Sequence, residues 1–126
     1  AGIKSDAGKN RIVPIHPKIL KLVENCINNK GETIFCRTHE GSEFGKAMNK
    51  DYFLKYGFRP AMQALGLGDE FTPHSCRRTF STRMSAAGAR EEDIIALMGH
   101  TNYKVDIDHY IIQEVDTLYN AIKLLA

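Results

Sequence analysis

Apolar side chains recur every three or four residues along much of the chain, a spacing that predicts amphipathic helices. The first helix should span residues 17–28, and the second should span residues 49–65, where Gly57 and Pro60 should kink or break it. Residues 115–125 should form a last amphipathic helix, whose apolar side needs a partner surface. The pattern therefore predicts a mainly helical fold.

Two further helices are marked by the residues at their ends. Thr72 is a favourable N-cap and Pro73 suits the first helical position, so a helix should begin here and continue to a C-terminal glycine, Gly88. The next helix should begin at Glu91, because an acidic first turn suits the helix dipole, and it should end at Gly99.

β-Structure is expected mainly near the N-terminus. Residues 3–15 have the pattern of a β-hairpin, with a turn at residues 6–9 followed by a short β-branched strand. Residues 33–36 are either a strand stub or a buried loop, and residues 105–111 should form a further short helix. The predicted fold class is thus mainly α (α+β), a helical domain with a small N-terminal β-hairpin.

Length, charge and cysteine usage narrow the class of protein. A chain of 126 residues suits one domain with a single core. The net charge of +2 is weak evidence for nucleic-acid binding, so a DNA-binding interpretation must depend on local clusters of basic residues. Three cysteines without metal-site spacing indicate reduced thiols in a cytoplasmic protein. No metal, cofactor-binding loop, signal peptide or membrane-spanning run is predicted.

The start of the helix after Thr72 carries the first candidate chemistry. His74 falls in the first turn, where unpaired N–H groups and the helix dipole favour an anion. Arg77 lies three residues on and shares a helix face with His74. An imidazole and a planar guanidinium at this place are typical of a phosphate site. A capped surface helix with scattered basic residues is the alternative.

Other cations are less specific. Lys4, Lys9 and Arg11 surround the tip of the predicted hairpin, where they suit a phosphate backbone or simply a solvated turn. Lys50 belongs to a basic side of the second helix, and such a side is usually only solvated. We expect Lys9, Arg11, Lys50 and also Arg78 to contact DNA if the domain binds it.

Taken in order, these residues resemble the tyrosine recombinase, or phage integrase, family. The resemblance is carried by His74-x-x-Arg77, by the segment Leu97-Met98-Gly99-His100, and by Tyr110, which follows His100 by ten positions. The hairpin bearing Lys4 also looks like the lysine-bearing hairpin of that family. The sequence around His74 and the spacing from His100 to Tyr110 most resemble those of integrases from transposons and conjugative elements.

The resemblance implies site-specific DNA recombination and integration by strand cleavage and rejoining. Tyr110 would be the nucleophile that forms a 3′-phosphotyrosyl intermediate, and Arg77 would bind the scissile phosphate. Lys4 would act as general acid, and His74 and His100 would hydrogen-bond the phosphate or assist proton movement. Such chemistry needs neither metal nor ATP, because the phosphotyrosyl bond conserves the energy of the phosphodiester. Tyr103 and Tyr119 compete with Tyr110, but their positions fit the family less well.

The resemblance also implies what accompanies this chain. Arg78 stands where the family often has histidine, and an earlier catalytic arginine of the family has no counterpart here. We therefore expect residues 1–126 to be the C-terminal part of a catalytic domain and to be nearly inactive alone. The partners would be double-stranded DNA sites in the bacterial cytoplasm and other protomers of a tetrameric synapse, with the 115–125 helix docked either on a neighbour or on its own core.

Three alternatives remain open. A chromosome-dimer resolvase or a type IB topoisomerase relative would use the same chemistry on another substrate. A non-catalytic DNA-binding module would keep the basic surface without using Tyr110. A structural helical domain with a coincidental set of motifs would use none of these residues.

Overall fold

The computed structural model describes residues 12–28, 31–38, 43–99 and 115–126, and this part of the chain is mainly helical. The helices are α1 (Pro17–Ile27), α2 (Lys50–Phe53), α3 (Arg59–Ala64), α4 (Pro73–Ala86), α5 (Glu91–Met98) and α6 (Val115–Ile122), with a π-helical segment at Leu54–Phe58 between α2 and α3. The mainly helical class predicted from the apolar spacing is therefore confirmed.

The chain divides into two compact units. Of the described residues, the first unit comprises 18–28, 31–38 and 43–74, and the second comprises 12–17, 75–99 and 115–126. Each unit is built around its own buried residues, and each is described by itself below.

In the first unit, the helical run of residues 49–65 changes its winding at the predicted place. Asn49 caps α2 by accepting a hydrogen bond from the N–H of Tyr52 at 2.8 Å. The N–H of Arg59 donates to the carbonyl of Leu54, five residues back, instead of four. Pro60 explains the change, because it has no N–H and its ring would crowd the carbonyl four residues earlier in an α-helix. The chain continues as a π-helical segment without a break.

A short loop structure precedes α2 in the same unit. Cys36 and Ala47 form a single antiparallel β-bridge, so the 33–36 stub is not an extended strand. Gly31 packs closely against this β-bridge. A Cβ added at Gly31 would lie 2.5 Å from the Cys36 sulfur and 3.0 Å from the Gly45 carbonyl oxygen. Thr38 donates its N–H to the Tyr52 hydroxyl at 3.0 Å, which ties this loop to α2.

Burial in the first unit differs from the sequence prediction. Val23 is the one buried residue of α1, whereas Leu22 is 64% exposed. In the second helical run Phe58 is buried, whereas Leu65 is 68% exposed. The apolar sides of these helices are thus only partly covered in this structure.

The second unit has the larger group of buried residues. Met84 of α4 is fully buried and packs with residues of α5 and α6: Ile94, Leu97, Met98, Leu118 and Ala121. The helix ends fall where glycine was predicted to place them. Gly88 and Gly99 both adopt the left-handed conformation, with φ of 83° and 63°, which a residue without Cβ enters at no steric cost.

The C-terminal helix packs within its own chain. Leu118, Ala121 and Ile122 of α6 are buried in the core of the second unit. His16 donates a hydrogen bond from Nε2 to the carbonyl of Leu125 at 2.9 Å, which fixes the end of the tail against the segment before α1. The partner surface that the amphipathic pattern required is therefore supplied here by α4 and α5.

Two sequence predictions fall wholly or mostly on residues that the structure does not describe. The short helix at 105–111 lies outside them. Of the predicted hairpin at 3–15, only residues 12–15 are described, and they form neither strand nor helix. The described chain therefore gives the β-hairpin no support.

Candidate functional site

Helix α4 begins at Pro73, one residue after the predicted N-cap, so its first turn carries His74 as expected. The His74 side chain is exposed and lines a cavity of about 1130 Å³ in the first unit. Lys50, the first residue of α2, lines the same cavity. Two of the residues predicted to contact DNA or phosphate are thus found around one cavity.

Most of the cavity wall is apolar. Aromatic and aliphatic side chains line it, among them Phe35, Phe53, Phe58, Met62, Leu67 and Phe71. Arg59 also lines it, and its guanidinium pairs with the carboxylate of Asp69 at 3.2 Å. The cavity therefore offers an apolar interior with basic groups in its wall.

Arg77 lies three residues after His74 on the same helix, so the two side chains leave α4 on one side. The Arg77 side chain is partly buried, and its Nη2 donates a hydrogen bond to the main-chain carbonyl of Met98. Met98 is the last residue of α5, so this hydrogen bond links Arg77 to the C-terminal end of that helix. A guanidinium has five N–H donors, which leaves further donors for an anion.

Gly99 shapes the corner that Arg77 contacts. It is the C-cap of α5 with φ 63° and ψ 37°, and its N–H donates back to the Ala96 carbonyl at 3.2 Å. His100 follows Gly99 directly in the sequence. Gly99 therefore stands in the sequence between Met98, whose carbonyl Arg77 contacts, and His100, another predicted site residue.

The remaining predicted residues divide into two groups. Arg78 is exposed on α4, and its carbonyl accepts a hydrogen bond from the Thr82 hydroxyl at 3.0 Å. The others lie outside the described residues: Lys4, Lys9, Arg11, His100 and Tyr110.

Sequence reasoning missed one charged pair at the start of α5. Asp93 was expected only to favour the dipole of α5, but it is 4% exposed and receives two hydrogen bonds from Arg90, both 3.0 Å long. These hydrogen bonds, and after them the negative charge of Asp93, raise the pKa of Arg90 above its ordinary value. The three-residue spacing on a helix start was the available signal.

The described residues show no metal site and no membrane helix. Within residues 12–28, 31–38, 43–99 and 115–126, histidine, cysteine and acidic side chains nowhere gather in a group of three or more that could hold a metal ion. Over the same ranges, no helix has the length and apolar character needed to cross a membrane.

The chain matches the sequence model of a known protein family. The sequence model described as the phage integrase family matches residues 3–115, which is most of the chain. No curated protein and no solved structure matches it.

Proposed function

Because the chain belongs to the phage integrase family, whose general activity is site-specific DNA recombination, we propose that residues 3–115 form part of a tyrosine recombinase catalytic domain. The observation that carries the proposal is the extent of the match. It includes every residue to which the sequence assigns chemistry, from Lys4 through His74, Arg77 and His100 to Tyr110.

The proposed reaction is a reversible transfer of a DNA phosphoryl group. The Tyr110 hydroxyl oxygen attacks the scissile phosphorus, a histidine takes up the hydroxyl proton, and the bond from phosphorus to the 5′-oxygen breaks. Lys4 donates a proton to the leaving 5′-oxygen, so the products are a 3′-phosphotyrosyl enzyme and a 5′-hydroxyl end. Attack by another 5′-hydroxyl reverses these steps and joins new strands without ATP or metal.

Arg77 is proposed to neutralise the charge that develops on the non-bridging oxygens. Its location supports this role, because a partly buried guanidinium whose direction is fixed by the Met98 carbonyl is preorganised for an anion. His74 in the first turn of α4 would add a hydrogen bond to the same phosphate. A lysine at position 77 would not reproduce the planar fork of donors.

A suicide DNA substrate, nicked so that the cleaved strand dissociates, tests the chemistry. The complete protein in which this sequence occurs should form a covalent protein–DNA complex, and Tyr110→Phe should abolish it. Tyr103→Phe and Tyr119→Phe are matched controls, since each removes one tyrosine hydroxyl and should leave the complex intact. Loss of the complex with either control instead of Tyr110→Phe would assign the nucleophile elsewhere.

The same experiment separates the proposal from a non-catalytic DNA-binding module. Such a module would use Arg77 only as a cap for α5, a role with which the hydrogen bond to Met98 is also compatible. It would bind duplex DNA but trap no covalent complex, and Tyr110→Phe would change no activity. A chromosome-dimer resolvase or a topoisomerase relative would trap the complex, and these are distinguished by whether two sites recombine or one supercoiled circle relaxes.

DNA contacts and assembly complete the proposal. Lys9, Arg11, Lys50 and Arg78 would bind the phosphate backbone of a recombination site, and protomers would assemble as a tetramer on two such sites. Integration or transposition of a mobile element is the recombination that the resemblance favours. This proposal is tested by incubating the protein with two circular plasmids, each of which carries one end of the element's junction. A fused plasmid is expected. Resolution of chromosome-dimer sites without plasmid fusion would contradict the proposal.

A further inference from the structure

We propose that the corner formed by Met98 and Gly99 positions Arg77 for phosphate binding, so that Gly99 controls the rate of DNA cleavage without touching DNA. The inference rests on the proposed function and adds Gly99 to it as a positioning residue. It is carried by the contact between the Arg77 side chain and the Met98 carbonyl, together with the left-handed backbone of the next residue.

The contact restricts a side chain that would otherwise be long and flexible. Arg77 leaves α4 with four rotatable side-chain bonds, and one N–H of its terminal group is held by the carbonyl of Met98. Met98 is 7% exposed and belongs to the core cluster that includes Met84, so the accepting carbonyl is attached to a well-packed residue. The remaining donors of the planar guanidinium then point in directions set by the core of the second unit.

Gly99 holds one side of the peptide group that carries this carbonyl. The accepting oxygen belongs to the peptide group between Met98 and Gly99, which is flanked by the helical backbone of Met98 on one side and by the φ of 63° at Gly99 on the other. A β-branched residue strongly disfavours this conformation, so it would rotate the peptide group or unwind the end of α5. Asparagine tolerates it far better. The structure thus assigns Gly99 a backbone role that the asparagine variant should keep and the valine variant should lose.

The chain provides a matched control at the end of α4. Gly88 also has a left-handed backbone, with φ 83°, and a Cβ added there meets nothing within 4 Å. Gly88→Val therefore imposes the same kind of backbone strain at a helix end, in the same unit, on a residue that does not adjoin the carbonyl bound by Arg77. Any effect common to both valine variants is an effect of stability.

The experiment measures single-turnover cleavage of two suicide substrates by the complete protein and its Gly99→Val, Gly99→Asn and Gly88→Val variants. One substrate has the natural scissile phosphodiester, and the other has a neutral methylphosphonate in its place, which lacks the charge that Arg77 would neutralise. Gly99→Val should slow cleavage of the natural substrate at least tenfold more than cleavage of the methylphosphonate. Gly99→Asn and Gly88→Val should leave the ratio of the two rates within about threefold of wild type. Asparagine at position 99 keeps the left-handed backbone, and Gly88 does not adjoin the carbonyl that Arg77 binds.

Side-chain NMR of ¹⁵N-labelled arginine provides a readout independent of activity. The Arg77 N–H signals, assigned by comparison with Arg77→Lys, should exchange slowly in wild type and in Gly99→Asn and rapidly in Gly99→Val. Equal protection in wild type and Gly99→Val, or equal rate ratios for Gly99→Val and Gly88→Val, would overturn the positioning role. If Gly99→Val does not fold, Gly99→Ala takes its place in both measurements, because its smaller side chain imposes less strain.

The two proposals fail in different ways. In the first case, the wild-type protein traps no covalent complex, but its Arg77 N–H groups exchange slowly and Gly99→Val removes this protection. That result overturns the proposed chemistry and keeps the corner as the element that orients Arg77. A wild-type protein that cleaves DNA with a rate ratio insensitive to Gly99 overturns the positioning role alone.

Discussion

The Arg77 side chain donates a hydrogen bond to the main-chain carbonyl of Met98, a residue 21 positions later in the sequence. The bond joins α4 to the end of α5 within the second unit. The guanidinium that contacts the end of α5 is thus also the one proposed to bind the scissile phosphate. Predictions about Arg77 must therefore separate stability from catalysis.

Arg77→Lys should lower the rate of covalent complex formation by about 100- to 1000-fold, the usual cost of removing one preorganised charge contact in a transition state. The charge is kept, but an ammonium group cannot bind the Met98 carbonyl and a phosphate through one planar fork. The measurement is the single-turnover rate on the suicide substrate, with the midpoint of thermal unfolding recorded for each variant.

Arg83→Lys is the control for Arg77→Lys, because Arg83 is exposed in the last turn of the same helix and the substitution is identical. It should leave the rate and the unfolding midpoint near those of wild type. A rate for Arg77→Lys within threefold of the Arg83→Lys rate would show that Arg77 is only a structural cap.

Arg78→Ala should weaken DNA binding without selectively slowing the chemical step. Arg78 is exposed beside Arg77, and loss of one phosphate contact should reduce the slope of log K against log salt by about 0.9. Fluorescence anisotropy with a labelled recombination site at several salt concentrations measures it. Lys21→Ala, which removes an equal charge from the exposed surface of α1, is the control. An unchanged slope for Arg78→Ala would remove Arg78 from the DNA interface.

The helices that were predicted well have strong local signals at their ends. Pro73 and the two left-handed glycines, Gly88 and Gly99, depend on backbone preferences that hold whatever surrounds them. The acidic start of α5 is of the same kind. For this reason the first turn that carries His74, and the corner before His100, could be located from the sequence.

Burial and distant contacts could not be predicted in the same way. Leu22 and Leu65 have helical spacing, yet both are largely exposed, because spacing defines an apolar side and not the element that covers it. The contact of Arg77 with Met98 depends on how α4 and α5 pack across 21 residues, and no local pattern encodes it. Within the site, the sequence thus supplied the residue types, and the structure supplied the orientation of Arg77.

Leu118→Ala should destabilise the second unit by about 2–5 kcal/mol, because Leu118 is 4% exposed in the core and its loss leaves a cavity. Tyr119→Ala should cost less than about 1 kcal/mol, since Tyr119 is 37% exposed on the neighbouring side of α6. Urea unfolding measures both.

Light scattering of the protein on DNA adds a test of assembly. If α6 also contacts a neighbouring protomer, Tyr119→Ala should reduce the mass of the complex while the fold remains intact.

The pair of Arg90 and Asp93 should show strong coupling. Arg90→Ala leaves a carboxylate that is 4% exposed without the two hydrogen bonds that Arg90 supplies, so it should lower the unfolding midpoint by several degrees. Asp93→Ala leaves a guanidinium whose side chain is 60% exposed and which water can solvate, so it should cost less. The double variant should be more stable than Arg90→Ala alone, and thermal unfolding of all four proteins measures the difference. A double variant as unstable as the sum of both single variants would contradict the coupling.

The pH dependence of this pair follows from the raised pKa of Arg90. A group whose pKa is raised in the folded state contributes its stability below the unfolded pKa, and that contribution is lost only as the pH rises through the folded pKa. Both values for an arginine lie far above neutral pH, so the difference in unfolding midpoint between wild type and Arg90→Ala should stay constant from about pH 7 to 9. Lys123→Ala is the control, because its ammonium lies 4.7 Å from the exposed ring of Tyr119 and away from Asp93 in the sequence. A difference that disappears over this pH range would show that a group other than the Arg90 guanidinium stabilises the start of α5.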